Sequence, residues 1–146
     1  MILQVISAFF ATAAIAVLCY IPKKYMIHAG LTGSFSWFLY LFMFQLQNDK
    51  VLATFISTVF VTLSAHILAR VYKTPVTMFL IPGVIPLVPG AGMYQIVQSI
   101  IDNTVDLTTY YFFQTLQMAG AIALGIFIID TLFRIAKKSI VKKVLP

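Results

Sequence analysis

The stretch with the clearest chemical potential is TPVTMFLIPGVIPLVPGAGMYQ, which runs from Thr74 to Gln95. It holds four of the six prolines and three of the seven glycines of the chain, in otherwise almost wholly apolar sequence. Proline removes a backbone donor and glycine loosens the backbone, so the stretch predicts an interrupted helix. The free amides at the start of a half-helix can bind an anionic group such as a carboxylate.

A second half-helix is predicted to begin at Gly90–Gly92, where small side chains would let a carboxylate approach the backbone. Further along, Gln95, Gln98 and Asp102 have the spacing of one helix face. That face either lines a path or forms a polar seam against a neighbouring helix. The candidate binding residues are Pro86, Pro89, Gly90, Ala91, Gly92, Tyr94, Gln95 and Gln98.

Two ionisable residues in apolar surroundings, His66 and Asp130, are candidates for proton coupling or gating. A histidine can relay a proton near neutral pH. The alternative for His66 is an interhelical hydrogen bond or an interfacial position. Asp130 precedes Arg134 by four residues, the spacing of an ion pair on one helix, so pairing alone is its alternative role.

Composition indicates the kind of structure that must position these residues. The chain has 146 residues, of which 61% are hydrophobic and only 10% charged, whereas soluble domains are roughly 25% charged. Several apolar runs are near the ~20 residues that cross a bilayer as a helix. We predict an all-α integral membrane protein that forms a single transmembrane domain, 1–146. Its five approximate spans are 1–21, 27–46, 51–72, 75–101 and 109–135, followed by a basic cytoplasmic tail, 136–146.

The fourth span is predicted to be interrupted near the bilayer midplane by its prolines and glycines. Irregular backbone is tolerated there only if it is buried in protein or lines a polar cavity. A structural kink is the alternative, since prolines are common in membrane helices. A re-entrant loop is the other alternative, but it would place the basic C-terminal residues outside the cell.

The basic residues predict an orientation. Most of them lie between spans one and two, between three and four, or after span five, whereas Lys50 alone lies in the second loop. The positive-inside rule then places the N-terminus outside and the C-terminus in the cytoplasm. Met1 to Ile21 has no charge and therefore lacks the basic region of a cleaved signal peptide, so we expect a retained span.

Other classes of function find little support. The net charge of +6 comes from short clusters without an aromatic-basic stripe, so we expect no nucleic-acid partner. The sequence has no catalytic triad motif, metal-ligand cluster or Walker loop, so we expect no enzyme activity, metal or cofactor. We interpret small residues in the spans as helix-packing positions, above all Gly30, Gly33, Gly120 and Gly125.

The segment PGVIPLVPGAGMYQ also resembles the signature of the small, membrane-only half of the threonine/serine exporter family. Three further segments are similar to this family, so the resemblance covers most of the chain: KKYMIHAGLTGSFSWFLY, SAHILARVYKTPVTMFLIPG and MAGAIALGIFI. One departure is visible. The family often has glycine just before the tryptophan, where this chain has Ser36 before Trp37.

The resemblance implies a role and a partner. Some members split their two membrane halves into a large and a small subunit, and this chain is similar to the small one. Its implied partner is a large subunit with an additional soluble portion, in the bacterial inner membrane, with higher oligomers left open. The implied substrates are threonine and serine, or dicarboxylates such as succinate. The alternatives are a non-transporting scaffold for a partner membrane protein and a membrane-embedded enzyme acting on lipid.

Overall fold

The computed structural model describes residues 2–144, with side chains described from residue 2 to residue 136. Within those residues the fold is entirely helical, as the composition predicts. The helices in chain order are α1 (Ile2–Leu18), α2 (Lys23–Gln47), α3 (Lys50–Tyr72), α4 (Thr77–Val84), a 3₁₀ turn (Ile85–Leu87), α5 (Gly90–Ile101) and α6 (Val105–Val144). Met1 and the last two residues of the predicted basic tail lie outside the described residues.

Three of these helices are long and apolar enough to cross a bilayer: α2, α3 and the Val105–Ala136 part of α6. A fourth span results if α4, the 3₁₀ turn and α5 cross together, with a bend of 43° between the two parts. The helix α1 is apolar but has only 17 residues. The described residues therefore contain three or four candidate spans, and the five-span arrangement stays a prediction.

The connection between α2 and α3 consists of two residues, of which the first ends α2 and the second caps α3. Asn48 adopts a left-handed conformation with φ 53°, which terminates α2. Asp49 then caps α3, since its carboxylate accepts hydrogen bonds from the amides of Val51 at 2.8 Å and Leu52 at 3.2 Å. This turn makes Lys50 the first residue of α3.

Helices α2 and α3 lie at the centre of the bundle. The helix α2 packs against α1, α3 and α4, and α3 packs against α2, α4 and α6. The helix α5 packs on the first part of α6, where the Thr108 hydroxyl donates to the Ser99 hydroxyl at 3.0 Å. Phe79 of α4 is fully buried in one of two hydrophobic clusters, among alanines of α1, α2 and α3.

The interior of α3 is lined by small hydroxyl-bearing residues. Four of its fully buried hydroxyls donate to the carbonyl four residues earlier, at 2.7–2.8 Å. These are Thr54, Ser57, Thr58 and Thr62. Because each hydroxyl is satisfied within its own helix, the neighbouring helices can approach closely without leaving these groups unpaired.

The four glycines predicted as packing positions have different surroundings. A Cβ atom on Gly30 would lie 2.7 Å from the Phe9 ring, and one on Gly33 would collide with Thr12. A Cβ on Gly125 would lie 3.0 Å from Thr58, at the contact between α6 and α3. A Cβ on Gly120, by contrast, would have no neighbour within 4 Å.

Candidate functional site

The site begins with a break in the helix that follows α3. Proline nitrogens at positions 82, 86 and 89 cannot donate to the carbonyls four residues earlier, which belong to Met78, Pro82 and Ile85. The chain accordingly leaves α4 after Val84, passes through the 3₁₀ turn and is extended at Val88, with φ −60° and ψ 129°. The helix α5 starts at the next glycine and runs at 43° to the preceding part.

A cavity of about 330 Å³ lies beside this break. Six of the eight predicted binding residues line it: Pro86, Pro89, Gly90, Ala91, Gly92 and Gln95. The rest of its lining comes from α2, α3, α6 and the break itself: Trp37, Tyr40, Lys50, Leu87, Val88, Gln114, Thr115 and Met118. Since Lys50 is the first residue of α3, the cavity lies towards the end of the bundle where α2 passes into α3.

The other two predicted binding residues, Tyr94 and Gln98, do not line the cavity. The Tyr94 hydroxyl donates to Gln98 at 3.5 Å, and the Gln98 amide donates to the Asp102 carboxylate at 3.2 Å. These three residues are exposed, and none of them lines the cavity. Of the three residues that the sequence places on one helix face, Gln95, Gln98 and Asp102, Gln95 alone lines the cavity.

The first turn of α5 presents unpaired backbone amides to the cavity. The amide of Met93 donates to the Pro89 carbonyl at 3.1 Å, and the amide of Gly90 donates to the Val88 carbonyl at 2.8 Å. No side chain caps this helix, because the residue before it is Pro89. The amides of Ala91 and Gly92 thus have no intrahelical acceptor, and the helix dipole adds partial positive charge at the same place.

Three polar residues of the cavity, Lys50, Gln114 and Thr115, are not among the binding residues predicted from the sequence. In the described part of the chain no carboxylate forms an ion pair with Lys50, since the neighbouring Asp49 is engaged as the cap of α3. The Thr115 hydroxyl is buried and has no hydrogen-bond partner among the described residues. The sequence could have pointed to Lys50, because it is the one basic residue in its loop. It could not have pointed to Gln114 or Thr115, because their positions in the cavity depend on how α6 packs on α5.

A larger groove of about 1270 Å³ adjoins the cavity, and we call it the α3–α6 groove. It is formed by the end of α2, the start of α3 and the α6 segment from Thr109 to Leu124. Lys50 and Gln114 line both the groove and the cavity, so the two spaces meet at these side chains. Gly120 also lines the groove, which accounts for the open space around it.

His66 and Asp130 meet at a separate place on α3 and α6. The Nε2 atom of His66 lies 3.1 Å from Oδ1 of Asp130, and Nε of Arg134 donates to Oδ2 at 3.0 Å. The His66 ring also stacks on Phe133, with 4.3 Å between the ring centroids. Asp130 is 15 residues beyond Thr115, or about 22 Å along α6, so this cluster is remote from the cavity.

A family model supplies the decisive comparison. The model described as threonine/serine exporter, ThrE, matches residues 4–132, which include both the cavity and the His66–Asp130 cluster. The chain belongs to this family. Membership in the threonine/serine exporter family, together with the apolar helices, makes the chain a multi-pass membrane protein of an exporter-type transporter family. No curated protein and no solved structure matches the chain.

Proposed function

We propose that the chain is the small subunit of a two-component secondary exporter. It would move small carboxylate-bearing metabolites out of the cell, either threonine and serine or dicarboxylates such as succinate. The observation that carries the proposal is the cavity at the α5 N-terminus, within a chain of the threonine/serine exporter family. Ligand sites in proteins are commonly clefts of about 300–1,000 Å³, and this cavity lies in that range.

The chemistry of the cavity supports a carboxylate ligand. The unpaired amides of Ala91 and Gly92 would donate to one carboxylate, aided by the dipole of α5. The buried Thr115 hydroxyl and the amide side chains of Gln95 and Gln114 would provide hydrogen bonds to the remainder of a small polar molecule. Trp37 and Tyr40, which stack at 5.1 Å between centroids, would form an apolar wall.

The large subunit would complete the site. Gly90, Ala91 and Gln95 line the cavity and are exposed in this chain taken alone. A membrane-embedded site for a polar molecule needs closure on every side, because exposed backbone amides are costly in hydrocarbon. A second subunit seated over α5 would provide that closure and would allow access to alternate between the two faces of the membrane.

We further propose the arrangement in the membrane and a route for coupling. The chain would cross the bacterial inner membrane five times, with the N-terminus outside, the C-terminus in the cytoplasm and the α4–α5 pair as one interrupted span. The distribution of lysine and arginine supports this orientation. The His66–Asp130 contact between α3 and α6 would carry the coupling proton or act as a gate at the cytoplasmic end.

The test is a substitution that fills the cavity without disturbing the fold. A Cβ on Gly90 would meet nothing within 4 Å, so Gly90→Val adds bulk to the cavity without a backbone clash. The variant is placed in the chromosomal copy of the native host, so that any partner subunit is present. Uptake of labelled succinate and threonine is then measured in everted membrane vesicles. The control is Ala14→Val, which places the same side chain at an exposed position of α1.

We expect Gly90→Val to lose most of the transport while its amount in the membrane stays normal, and Ala14→Val to transport normally. Normal uptake by Gly90→Val would remove the cavity as the binding site. If deletion of the whole chain changes the uptake of neither compound, the exporter proposal fails for these substrates, and the scaffold alternative gains support.

A further inference from the structure

Lys50 borders both the cavity and the α3–α6 groove, and this position has a chemical consequence. The groove is the larger space and ends where α2 passes into α3. The side chains of Lys50 and Gln114 line both spaces, so a small molecule in either one lies next to them. The ammonium group of Lys50 is therefore placed to interact with a substrate in the groove and in the cavity.

The charges around the cavity all have one sign. Lys50 is the one charged side chain among the described residues that line it, and the α5 N-terminus adds partial positive charge. Asp49, which lines the groove, is already engaged with the amides of Val51 and Leu52. No carboxylate of the described chain is thus placed in the cavity to bind a substrate ammonium group.

A second observation shows that the place is suited to a polar ligand. Thr115 is only 7% exposed, lines the cavity and has a hydroxyl without a hydrogen-bond partner in the described chain. Many threonines in these helices donate to a carbonyl three or four residues earlier, as Thr58 and Thr62 do, whereas the buried hydroxyls of Thr12 and Thr115 make no such bond, and of these two only Thr115 lines the cavity. An unmade hydrogen bond in a buried position is costly, and a bound polar molecule would remove that cost.

We propose that Lys50 is a substrate-binding and charge-selecting residue of this exporter. It pairs with a carboxylate of the substrate at the junction of cavity and groove, while the amides of Ala91 and Gly92 hold a second carboxylate. The site therefore takes anions of net negative charge, with two carboxylates, in preference to zwitterions. This inference rests on the proposed function and deepens it.

The experiment compares Lys50→Gln, Lys50→Glu and Lys50→Arg in the chromosomal copy of the native host. Initial uptake into everted vesicles is measured against concentration for succinate, a dianion near neutral pH, and for threonine, a zwitterion. Lys23→Gln is the matched control, because it removes one positive charge from the start of α2, away from the cavity. Lys50 is exposed, so these changes remove no buried packing, and immunoblots measure the amount of each variant in the membrane.

We expect Lys50→Gln to raise the KM for succinate by about tenfold or more, the effect of losing one charge-assisted hydrogen bond. Lys50→Arg retains most of the uptake, Lys23→Gln is unchanged, and Lys50→Glu shifts the succinate-to-threonine ratio towards threonine. Unchanged succinate KM and unchanged ratio in Lys50→Gln and Lys50→Glu would overturn the assignment.

The failure of this inference is distinguishable from that of the proposed function. If Gly90→Val abolishes uptake while every Lys50 variant behaves as wild type, the cavity remains the binding site and the role of Lys50 is refuted. If deletion of the chain changes the uptake of neither compound, the exporter proposal and the role of Lys50 are both overturned.

Discussion

The hydroxyl oxygen of Ser36 lies 2.7 Å from the carbonyl oxygen of Gly83, so a side chain of α2 donates to the last turn of α4. The same hydroxyl lies 2.8 Å from the Gly33 carbonyl, and its single proton is shared between the two acceptors. The carbonyls in the last turn of a helix lack regular donors, and here the prolines prevent the helix from continuing. Ser36 thus supports the break itself.

Replacing Ser36 with alanine should destabilise the break. The residue is fully buried, and loss of its hydroxyl would leave the Gly83 carbonyl without this donor, at a cost of about 1–3 kcal/mol. Thermal unfolding in detergent or nanodiscs measures the effect. The control is Ser64→Ala, because the Ser64 hydroxyl bonds only to the Phe60 carbonyl of its own helix and the residue is only half-buried. Equal melting temperatures for the two variants would show that the interhelical bond contributes nothing.

Gly92 of α5 and Thr115 of α6 pack directly against each other. A Cβ on Gly92 would collide with the Thr115 hydroxyl, so Gly92→Ala should cost about 1–3 kcal/mol through overpacking. Thr115→Ala removes the colliding atom, and the double variant should therefore recover most of the lost stability. A double-mutant cycle on the free energy of unfolding measures this coupling. Strictly additive effects would mean that the two residues do not pack against each other.

The sequence predicts the helical class and places the helix break, because both depend on local composition and on proline chemistry. Pro86, Pro89 and the glycines after them follow from the rule that proline cannot donate within a helix. The same local reasoning identified six residues that line one cavity. It assigned Tyr94 and Gln98 to the site as well, because the sequence does not show how far along α5 the cavity extends or which residues of α5 border it.

The contributions of other helices could not be read from the sequence. Lys50, Gln114 and Thr115 reach the cavity only because α3 and α6 pack beside the break, and these contacts join residues far apart in the chain. Predicting the capping role of Asp49 would have required knowing that α3 starts at the next residue. Similarly, the glycines predicted as packing positions differ because Gly120 faces the α3–α6 groove, whereas Gly33 faces α1.

Replacing Gly33 or Gly120 with alanine should change the stability of the chain in opposite directions. Gly33→Ala would press a methyl group into Thr12 and should destabilise the α1–α2 contact by about 1–3 kcal/mol. Gly120→Ala has free space and should stabilise the isolated chain by up to about 1 kcal/mol, since alanine favours a helix more than glycine does. Thermal unfolding of both purified variants is the measurement. A destabilised Gly120→Ala would show that the groove is more tightly filled than the described contacts indicate.

His66, Asp130 and Arg134 should contribute unequally to stability. His66 is 7% exposed and contacts Asp130 across two helices, so Asp130→Ala should cost about 1–3 kcal/mol by leaving a buried ring nitrogen without its partner. The Arg134 side chain is 82% exposed, and an exposed ion pair contributes no more than about 1 kcal/mol. Arg134→Gln should therefore unfold near the wild-type temperature. Equal losses of stability in Asp130→Ala and Arg134→Gln would indicate that the exposed Asp130–Arg134 ion pair, and not the His66–Asp130 contact, stabilises this cluster.

The same cluster gives a test of coupling that is independent of stability. His66→Gln keeps a hydrogen-bonding group near Asp130 but cannot carry a proton, so a proton-coupling role predicts uptake that no longer responds to an imposed pH gradient. Everted vesicles from the native host, energised or not, measure this response, with Arg134→Gln as the control. If His66→Gln retains the full response of the wild type, the contact between α3 and α6 holds the helices together without moving the coupling proton.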